Sequence, residues 1–231
     1  ANVDVKLSDK VTFKSIFGYD FMDTKHFEFW SPEGVNGASV GGLGSRYNYE
    51  SRSLTSSSTL RYANTFDDVH NFDILGGFEV EDRNLLSVIA TAKQYSTDKL
   101  PELGNGQPDN ASSNVYSSGI LSYLASANYN YDNKYYLSAS ARRDGSSRLG
   151  ADNRWANFWS VSGAWRLSGE SFLEDSELFS DLKVRASYGT NGNLPGDYYA
   201  NLALYSFSDG YGPNSAIYWS QPGNKNLGWE K

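Results

Sequence analysis

A compact group of charged residues, in the run RRDGSSR, is the clearest candidate for chemistry in this sequence. It contains Arg142, Arg143, Asp144 and Arg148. Forked guanidinium groups could hold an anionic or hydroxyl-rich ligand through paired hydrogen bonds. The same arginines could instead pair with Asp144, Asp152 and neighbouring carboxylates and thereby fix a tight hairpin.

An aromatic-rich stretch, 194–225, is the better candidate for ligand contact. Rigid aromatic faces stack well on sugar rings and on peptides. Connections of this kind usually carry specificity. Alternatively, the aromatic side chains pack the segment on itself, and both interpretations stay open. The residues concerned are Tyr198, Tyr199, Tyr205, Tyr211, Tyr218 and Trp219.

Enzymatic chemistry has little support. The two histidines, His26 and His70, have no Ser or Asp at a useful catalytic spacing, so we expect structural or solvent-facing roles for them. The acidic groups 79–82 and 174–177 could ligate Ca²⁺, but neither has the Asp-x-Asp-x-Asp-Gly spacing, which favours solvated turns. GGLG at 41–44 lacks the Lys-Ser/Thr of a phosphate loop. We therefore predict a protein that is not an enzyme, without cofactor or metal.

Composition narrows the class of protein. The net charge of −7 disfavours a nucleic-acid partner, and the absence of cysteine excludes disulfides and thiolate sites. No run approaches the roughly 20 apolar residues of a membrane-spanning helix. The mean hydropathy of −0.56 discriminates weakly, since transmembrane barrels expose only alternate residues to lipid. The first ten residues do not form a signal peptide, so an exported protein would be represented by a mature chain or an internal piece.

Alternation of residue type is the strongest organisational signal. Within 134–143, apolar Leu137, Ala139 and Ala141 share one face, whereas hydroxyls and Arg142 share the other. In a membrane barrel the first face contacts lipid and the second lines the lumen. These runs are longer than the usual 5–6 residues of soluble strands and closer to the roughly 9–11 needed to cross a bilayer. The same alternation recurs in 11–21, 117–131, 155–166 and 181–189.

The connections predict how the strands are joined. Short turns are expected at 8–10, 67–68 and 132–133, and long polar connections at about 22–54, 83–116 and 191–225. Short turns at one end and long loops at the other are typical of outer-membrane barrels. Within the second long connection, 84–95 also looks strand-like and could be a hairpin arm above the membrane. A helical turn with a serine cap, Ser168 or Ser171, is expected within 168–180.

The predicted strands number about nine, whereas single-chain bacterial barrels have an even count, which indicates an incomplete barrel. An open sheet edge in lipid would be costly, so further strands must close it. The strands are predicted near 1–8, 10–21, 55–66, 69–82, 117–131, 134–145, 153–167, 181–190 and 226–231.

Aromatic residues near the strand ends predict interfacial anchors in two belts. Arg143 alternates onto the outer face, and an arginine there at mid-bilayer costs about 2–4 kcal/mol, so we expect it at the headgroup level. The predicted belt residues are Tyr129, Tyr131, Tyr135, Trp155, Trp159 and Trp165.

Several runs carry a family resemblance. LSYLASANYNYDNKYYLSASARRDGSSRLGADNRWANFWSVSGAWRLSGESFL, then DLKVRASYGTNGN and GNKNLGWEK, resemble the C-terminal half of the barrel of the SusC/RagA-like TonB-dependent outer-membrane transporters. The resemblance is strong over about 117–231, and VTFKSIFGYD resembles the preceding strands. Because the RRDGSSR motif belongs to the family as a whole while substrates differ within it, the structural interpretation of its arginines is favoured.

The resemblance implies more than the residues do. It implies a barrel of about 22 strands, of which 1–231 is one part without the plug domain or N-terminal extension. It also implies import of oligosaccharides or peptides, energised by TonB, with a SusD-like surface lipoprotein as lid. The aromatics of 194–225 could then contact that lid.

We therefore predict an all-β chain, part of an antiparallel transmembrane β-barrel that crosses the bacterial outer membrane several times. One alternative is a soluble, aromatic-rich β-sandwich acting as a carbohydrate-binding module. It requires bulky inward residues, whereas Ala125, Ala127, Ala139, Ala141 and Ala186 are small. Another is a secreted adhesin-like β protein, which would not need alternating short and long connections.

Overall fold

A single antiparallel sheet of eight strands dominates the computed structural model, which describes residues 1–173, 179–211 and 214–230. The strands follow one another in the sheet in chain order. Their bounds are β1 Asn2–Lys6, β2 Val11–Trp30, β3 Leu43–Phe66, β4 His70–Lys93, β5 Gln107–Tyr131, β6 Tyr135–Ser146, β7 Trp155–Arg166 and β8 Lys183–Gly189. A separate two-stranded hairpin pairs β9 Leu204–Tyr211 with β10 Asn214–Gln221.

The strands β2 to β5 are longer than the sequence predicts. β2 has 20 residues, β3 and β4 have 24 each and β5 has 25, so most of the predicted connections 22–54 and 83–116 are strand. The true connections there are 31–42 and 94–106. The prediction failed because both faces of these strand ends carry polar residues, which removes the alternation of apolar and polar types.

The end of the chain needs a second correction. Among the described residues the sheet has eight strands, compared with about nine predicted. Of the predicted strand 226–231, residues 226–230 form only one isolated bridge, between Asn193 and Glu230, and Lys231 lies outside the described residues. The predicted connection 191–225 contains the β9–β10 hairpin, because apolar and polar residues do alternate there, as in Tyr205 and Phe207.

The turn between β7 and β8 begins with a 3₁₀ turn at Leu167–Gly169. Arg166 occupies the N-cap position of this turn and no side chain bonds there, so Ser168 does not cap it. The acidic residues 174–178, which would follow the other predicted cap, Ser171, lie outside the described residues. Ser168 instead donates a hydrogen bond to the Asp181 carboxylate at 2.9 Å. No helix in the described part of the chain has the length and apolar character needed to cross a membrane.

The chain divides into two compact units. The first comprises 1–18, 55–81 and 118–231, and the second comprises 19–54 and 82–117. The first unit contains the short turns. At two of them aspartate and asparagine residues adopt positive φ, as tight hairpins require; these are Asp67, Asp68, Asp132 and Asn133.

Tyr95 organises the connections of the second unit. Its ring is 5% exposed and meets Phe29 edge-on at 5.0 Å. Its backbone N–H donates to the Gly41 carbonyl at 2.7 Å. Gly44 allows this packing, because a Cβ there would lie 2.2 Å from the Tyr95 hydroxyl oxygen. Burial raises the pKa of Tyr95.

The strand register gives the first unit two different faces. One face carries apolar and aromatic side chains, such as Ala139, which lies opposite Val161, which in turn lies opposite Tyr188. The other carries hydroxyls, such as Ser138, opposite Ser162, opposite Ser187. We call these the outer face and the inner face.

The buried interior is small. Among the described residues, the buried apolar side chains are Ala92, Tyr95, Leu149 and Ala156, whereas large apolar side chains on the outer face are exposed, including Leu137 and Val161. A sandwich would bury bulky residues between two sheets, and here the second sheet has only two strands. The sandwich alternative is therefore wrong.

Candidate functional site

Arg142 joins three strands on the inner face. Its Nε donates to Asp144 Oδ1 at 2.7 Å on the same strand, β6. Its Nη2 donates to Ser122 Oγ on β5 at 2.9 Å and to Glu79 Oε1 on β4 at 3.1 Å. Ser122 is fully buried and Asp144 is 8% exposed. Charge-assisted bonds of this kind are short and geometrically specific, so the network fixes the order of the strands at this level.

The network differs in detail from the predicted pairing. Asp144 is a partner, as expected from the sequence. Asp152 instead contributes its backbone N–H, which donates to the Lys225 carbonyl at 3.3 Å. Glu79 and Ser122 were missed, because Glu79 lies 63 residues from Arg142 in the chain and only strand pairing brings them together.

Arg143 points to the opposite face from Arg142. Its guanidinium lies 5.3 Å from the centroid of the Trp155 ring. Its neighbours across the strands are Tyr123 on β5 and Asn157 on β7. It therefore contributes nothing to the inner-face network.

Arg148 ties the β6–β7 connection to the following segment. Its Nη2 donates to the carbonyls of Pro195 and Gly196, and its guanidinium lies 4.6 Å from the Tyr198 ring centroid. Gly150 makes a similar close approach, since a Cβ there would lie 2.1 Å from the Lys225 carbonyl oxygen. The structure thus places the RRDGSSR cluster in three separate environments.

The same connection is anchored at its far end. Asn201 Nδ2 donates to the Leu149 carbonyl at 3.0 Å, and Leu149 is fully buried. Trp229 Nε1 donates to the Arg154 carbonyl at 3.1 Å, and its ring meets Phe158 edge-on at 5.5 Å. These contacts fasten both sides of the segment that contains the β9–β10 hairpin.

The predicted belt residues form a row near the short turns. Tyr131, Tyr135 and Trp165 stack with successive centroid distances of 6.2 Å. The Glu170 carboxylate accepts hydrogen bonds from Tyr135 Oη at 2.6 Å and from Trp165 Nε1 at 2.9 Å. These two bonds lower the pKa of Glu170.

His70 and Tyr129 extend this row across β4 and β5. His70 Nδ1 and Tyr129 Oη are 2.8 Å apart, and the His70 ring lies 5.0 Å from that of Tyr131. His26 lies in the other unit, 5.6 Å from the Tyr47 ring. Each histidine has an aromatic neighbour.

The remaining belt residues lie nearer the long connections. Tyr123 and Trp155 stack at 6.1 Å, and Trp159 meets Tyr188 edge-on at 5.8 Å. Tyr123 was not predicted as a belt residue, although its place in the alternation of β5 would have identified it. The outer face thus has aromatic rings toward both ends of its strands.

The six aromatics predicted for ligand contact fall into two places. Tyr198 and Tyr199 precede the hairpin, with ring centroids 6.5 Å apart. Tyr205 and Trp219 are direct cross-strand neighbours on the hairpin, whereas Tyr218 lies on its opposite face. Tyr211 ends β9, and its side chain lies outside the described residues.

Phe207 and Ile217 were missed by sequence reasoning. They pair directly and share a face with Tyr205 and Trp219, and all four are 63–74% exposed. Their alternation with Ser206 was the available signal. Isolated apolar residues on a surface are ordinary, but four on one hairpin face form a contact surface. We call it the hairpin patch.

The acidic residues do not assemble a metal site in the part of the chain that the structure describes. No group of three or more His, Cys, Asp or Glu side chains suited to a metal occurs there. Glu79 is engaged by Arg142. The acidic group 174–177 lies outside the described residues.

Comparison with curated proteins gives consistent relatives. TonB-dependent receptor P26 of Formosa agariphila is 30% identical over 99% of this chain, and TonB-dependent receptor P39 of the same organism is 29% identical over 99%. TonB-dependent receptor SusC of Bacteroides thetaiotaomicron is 39% identical over 48% of this chain. The chain spans 24%, 22% and 12% of these relatives. No protein-family model matches the chain.

Solved structures give the same answer for the fold. The structure of the RagAB peptide transporter matches with a TM-score of 0.88 and 27% identity, over 99% of this chain and 26% of that chain. The RagAB peptide importer in its open-open state matches with a TM-score of 0.82 and 28% identity, over 99% and 25%.

The antiparallel eight-stranded sheet matches one part of a TonB-dependent β-barrel. Its relatives are receptors and transporters, not enzymes. The chain belongs to the SusC/RagA-like TonB-dependent receptors. Proteins of this family reside in the outer membrane and serve nutrient import.

Proposed function

We propose that this chain is part of the barrel wall of a transporter that imports oligosaccharides or peptides across the outer membrane. The observation that carries the proposal is the division of the sheet into an apolar outer face with aromatic ends and a hydroxyl-lined inner face. Lipid on one side and an aqueous lumen on the other is the environment that such a sheet needs. We place 1–231 within one barrel domain whose strands cross the membrane.

The inner face suits polar solutes. Serine hydroxyls recur on neighbouring strands, and Ser140 Oγ and Ser160 Oγ are 2.7 Å apart. Hydroxyls can donate or accept, so they exchange hydrogen bonds with sugar or peptide groups without selecting a charge. The inner-face serines on these strands include Ser126, Ser138, Ser140, Ser160, Ser162 and Ser187.

Energy coupling and a covering partner follow from the family. We propose TonB as the energy source, acting through a plug and an N-terminal part outside residues 1–231, and a SusD-like surface lipoprotein as lid. Support comes from relatives named as TonB-dependent receptors and from the match to the RagAB peptide transporter. The name of that transporter supports peptides as the substrate class. The exposed tyrosines support sugars to the same degree, because their rings can stack on sugar rings.

The hairpin patch is the proposed contact for substrate or lid. Tyr205 and Trp219 present adjacent rings at 64% and 63% exposure, which leaves their faces open for stacking. Tyr198 and Tyr199 lie before the hairpin, where Arg148 contacts Tyr198. Arg142 and Arg148 are proposed as structural residues, and the belt aromatics as membrane anchors.

The experiment is growth of a strain that lacks the receptor gene, supplied with either oligosaccharides or peptides as the sole carbon source. Restoration by the intact gene, and its loss when TonB is removed, is the expected result. Restoration on peptides alone would settle the substrate class as peptide. Growth that does not depend on the gene on either diet would contradict the import proposal.

A pair of variants on the hairpin tests the contact surface. Trp219→Ala combined with Tyr205→Ala should lower uptake or lipoprotein capture severalfold, because an aromatic side-chain contact is worth about 0.5–1.5 kcal/mol beyond its buried area. Tyr218→Ala, on the opposite face of the same hairpin, is the matched control. Equal losses in both would argue against a one-sided contact.

A further inference from the structure

Arg143 occupies an unusual place on the outer face. Across 121–131, β6, β7 and β8, all described by the structure, it is the one charged side chain on that face. Its neighbours along β6 are Ala141 and Gly145, and its neighbours across the sheet are Tyr123 and Asn157. Arg143 is therefore a cation on a surface whose other side chains are apolar or aromatic, apart from the amide of Asn157.

The position of Arg143 along the strand sets its depth. Eight residues separate it from Tyr135, which begins the strand. At about 3.3 Å per residue this is about 26 Å along β6, and a tilt of about 40° reduces it to about 20 Å of height. Tyr135 and Arg143 thus lie near opposite borders of an apolar band about 25 Å tall.

Within the part of the chain that the structure describes, the guanidinium has no carboxylate partner. No carboxylate of the described residues forms a salt bridge with Arg143, whereas Arg142 next to it has two. The ring of Trp155 lies under the guanidinium at 5.3 Å, and Tyr123 stacks on Trp155 at 6.1 Å. Aromatic contact holds the cation in place but leaves its hydrogen-bond donors without an anion.

The shape of this group suits a phosphate. A guanidinium presents forked N–H donors that match phosphate oxygens, and the Asn157 amide beside it supplies a further donor. The Tyr123 and Trp155 rings offer an apolar surface for the chain below a headgroup. A phosphate tethered to an acyl chain would satisfy both features together.

We propose that Arg143, Trp155, Tyr123 and Asn157 form a binding site for the phosphate headgroup of an anionic lipid, in the leaflet on the side of the long connections. The inference rests on the proposed membrane location. It adds a specific lipid partner at a surface that is distinct from the substrate path.

The test is native mass spectrometry of the whole receptor extracted in detergent, titrated with phosphatidylglycerol or with phosphatidylcholine of the same acyl chains. The wild-type protein should retain more phosphatidylglycerol. Arg143→Gln should reduce that excess about fivefold, the factor expected for one cation beside anionic lipid. Arg143→Lys, which keeps the charge but lacks the forked donors, should retain only part of it.

Arg185→Gln is the matched control, since it removes the same charge from the inner face of β8, where Arg185 lies opposite Ala164. It should leave the excess unchanged. Equal retention by wild type and Arg143→Gln would overturn the inference. Competition by millimolar inorganic phosphate would overturn the lipid as the source of the phosphate group.

Failure of the proposed function gives a different result. A protein that stays soluble without detergent and binds neither lipid would contradict membrane insertion itself. A protein that inserts but binds both lipids equally would contradict only the Arg143 site.

Discussion

Trp155 lies directly over Gly145, its cross-strand partner on β6. A Cβ built on Gly145 would come within 2.8 Å of two indole ring atoms. The glycine therefore provides the space in which the tryptophan lies flat against the sheet, within reach of both Tyr123 and Arg143.

Gly145→Val should displace the Trp155 ring and destabilise the folded barrel by about 1–3 kcal/mol, the usual cost of overpacking. The measurement is the urea midpoint of the detergent-folded receptor, followed by tryptophan fluorescence. Gly163→Val is the control, because the nearest atom to a Cβ there is a backbone oxygen at 3.9 Å. Equal losses for both glycines would show that strand propensity, and not the Trp155 contact, is responsible.

Arg142→Met should destabilise the folded state by about 1.5–3 kcal/mol, because it leaves the largely buried Asp144 carboxylate without its charge-assisted partner. Arg185→Met, a cation on the same inner face, should cost much less. The free energy of unfolding in urea is the quantity to compare.

A double variant separates pairing from general disruption. Adding Asp144→Asn to Arg142→Met should cost less than the sum of the two single changes, since the unpaired charge is then removed. Strict additivity would mean that the two residues do not interact energetically.

Tyr95→Ala should open a cavity in the second unit and loosen the connections 31–42 and 94–106, at a cost of about 3–5 kcal/mol. Tyr95→Phe should be nearly neutral, because the Tyr95 hydroxyl is buried without a hydrogen-bond partner among the described residues. Hydrogen exchange of the Tyr95 amide, which donates to Gly41, reports the loosening. A large loss in Tyr95→Phe would reveal a partner for the hydroxyl.

Acidification should weaken the row of aromatics near the short turns. Bonds from Tyr135 and Trp165 lower the pKa of Glu170 below its usual 4.5, so its stabilising effect is present above that pH and is lost as the pH falls through the lowered pKa. Wild type should therefore be more stable than Glu170→Gln at pH 7. This difference should shrink in the same unfolding assay as the pH falls below 4.5 and through the lowered pKa. A difference independent of pH would exclude the carboxylate charge as its cause.

Much of the sheet in the first unit could be predicted from sequence. The alternation of Leu137, Ala139 and Ala141 with hydroxyls identified the two faces of β6, and the Asp132-Asn133 turn fixed its register against β5. Period and turn chemistry are local properties, so a single sequence contains them.

The extensions of β2 to β5 could not be recognised in the same way. Residues such as Lys25, His26 and Glu28 interrupt the alternation because water can reach both faces of such strands. The contact between Arg142 and Glu79 could not be predicted either, because it depends on β5 lying between β4 and β6 in the sheet. Long-range pairing has no signature in the spacing of residues along one chain.

The chain-order arrangement of β1 to β8 has a kinetic consequence. Within this sheet, each strand is hydrogen-bonded to the strands that directly precede and follow it, and several are joined by turns of a few residues. The entropy cost of loop closure is then small at each step. The sheet can therefore grow by adding one strand at a time to the strand before it. The hydrogen bonds of Arg142 can all form only after β4, β5 and β6 have paired in this order. The network therefore stabilises the correct strand order during assembly.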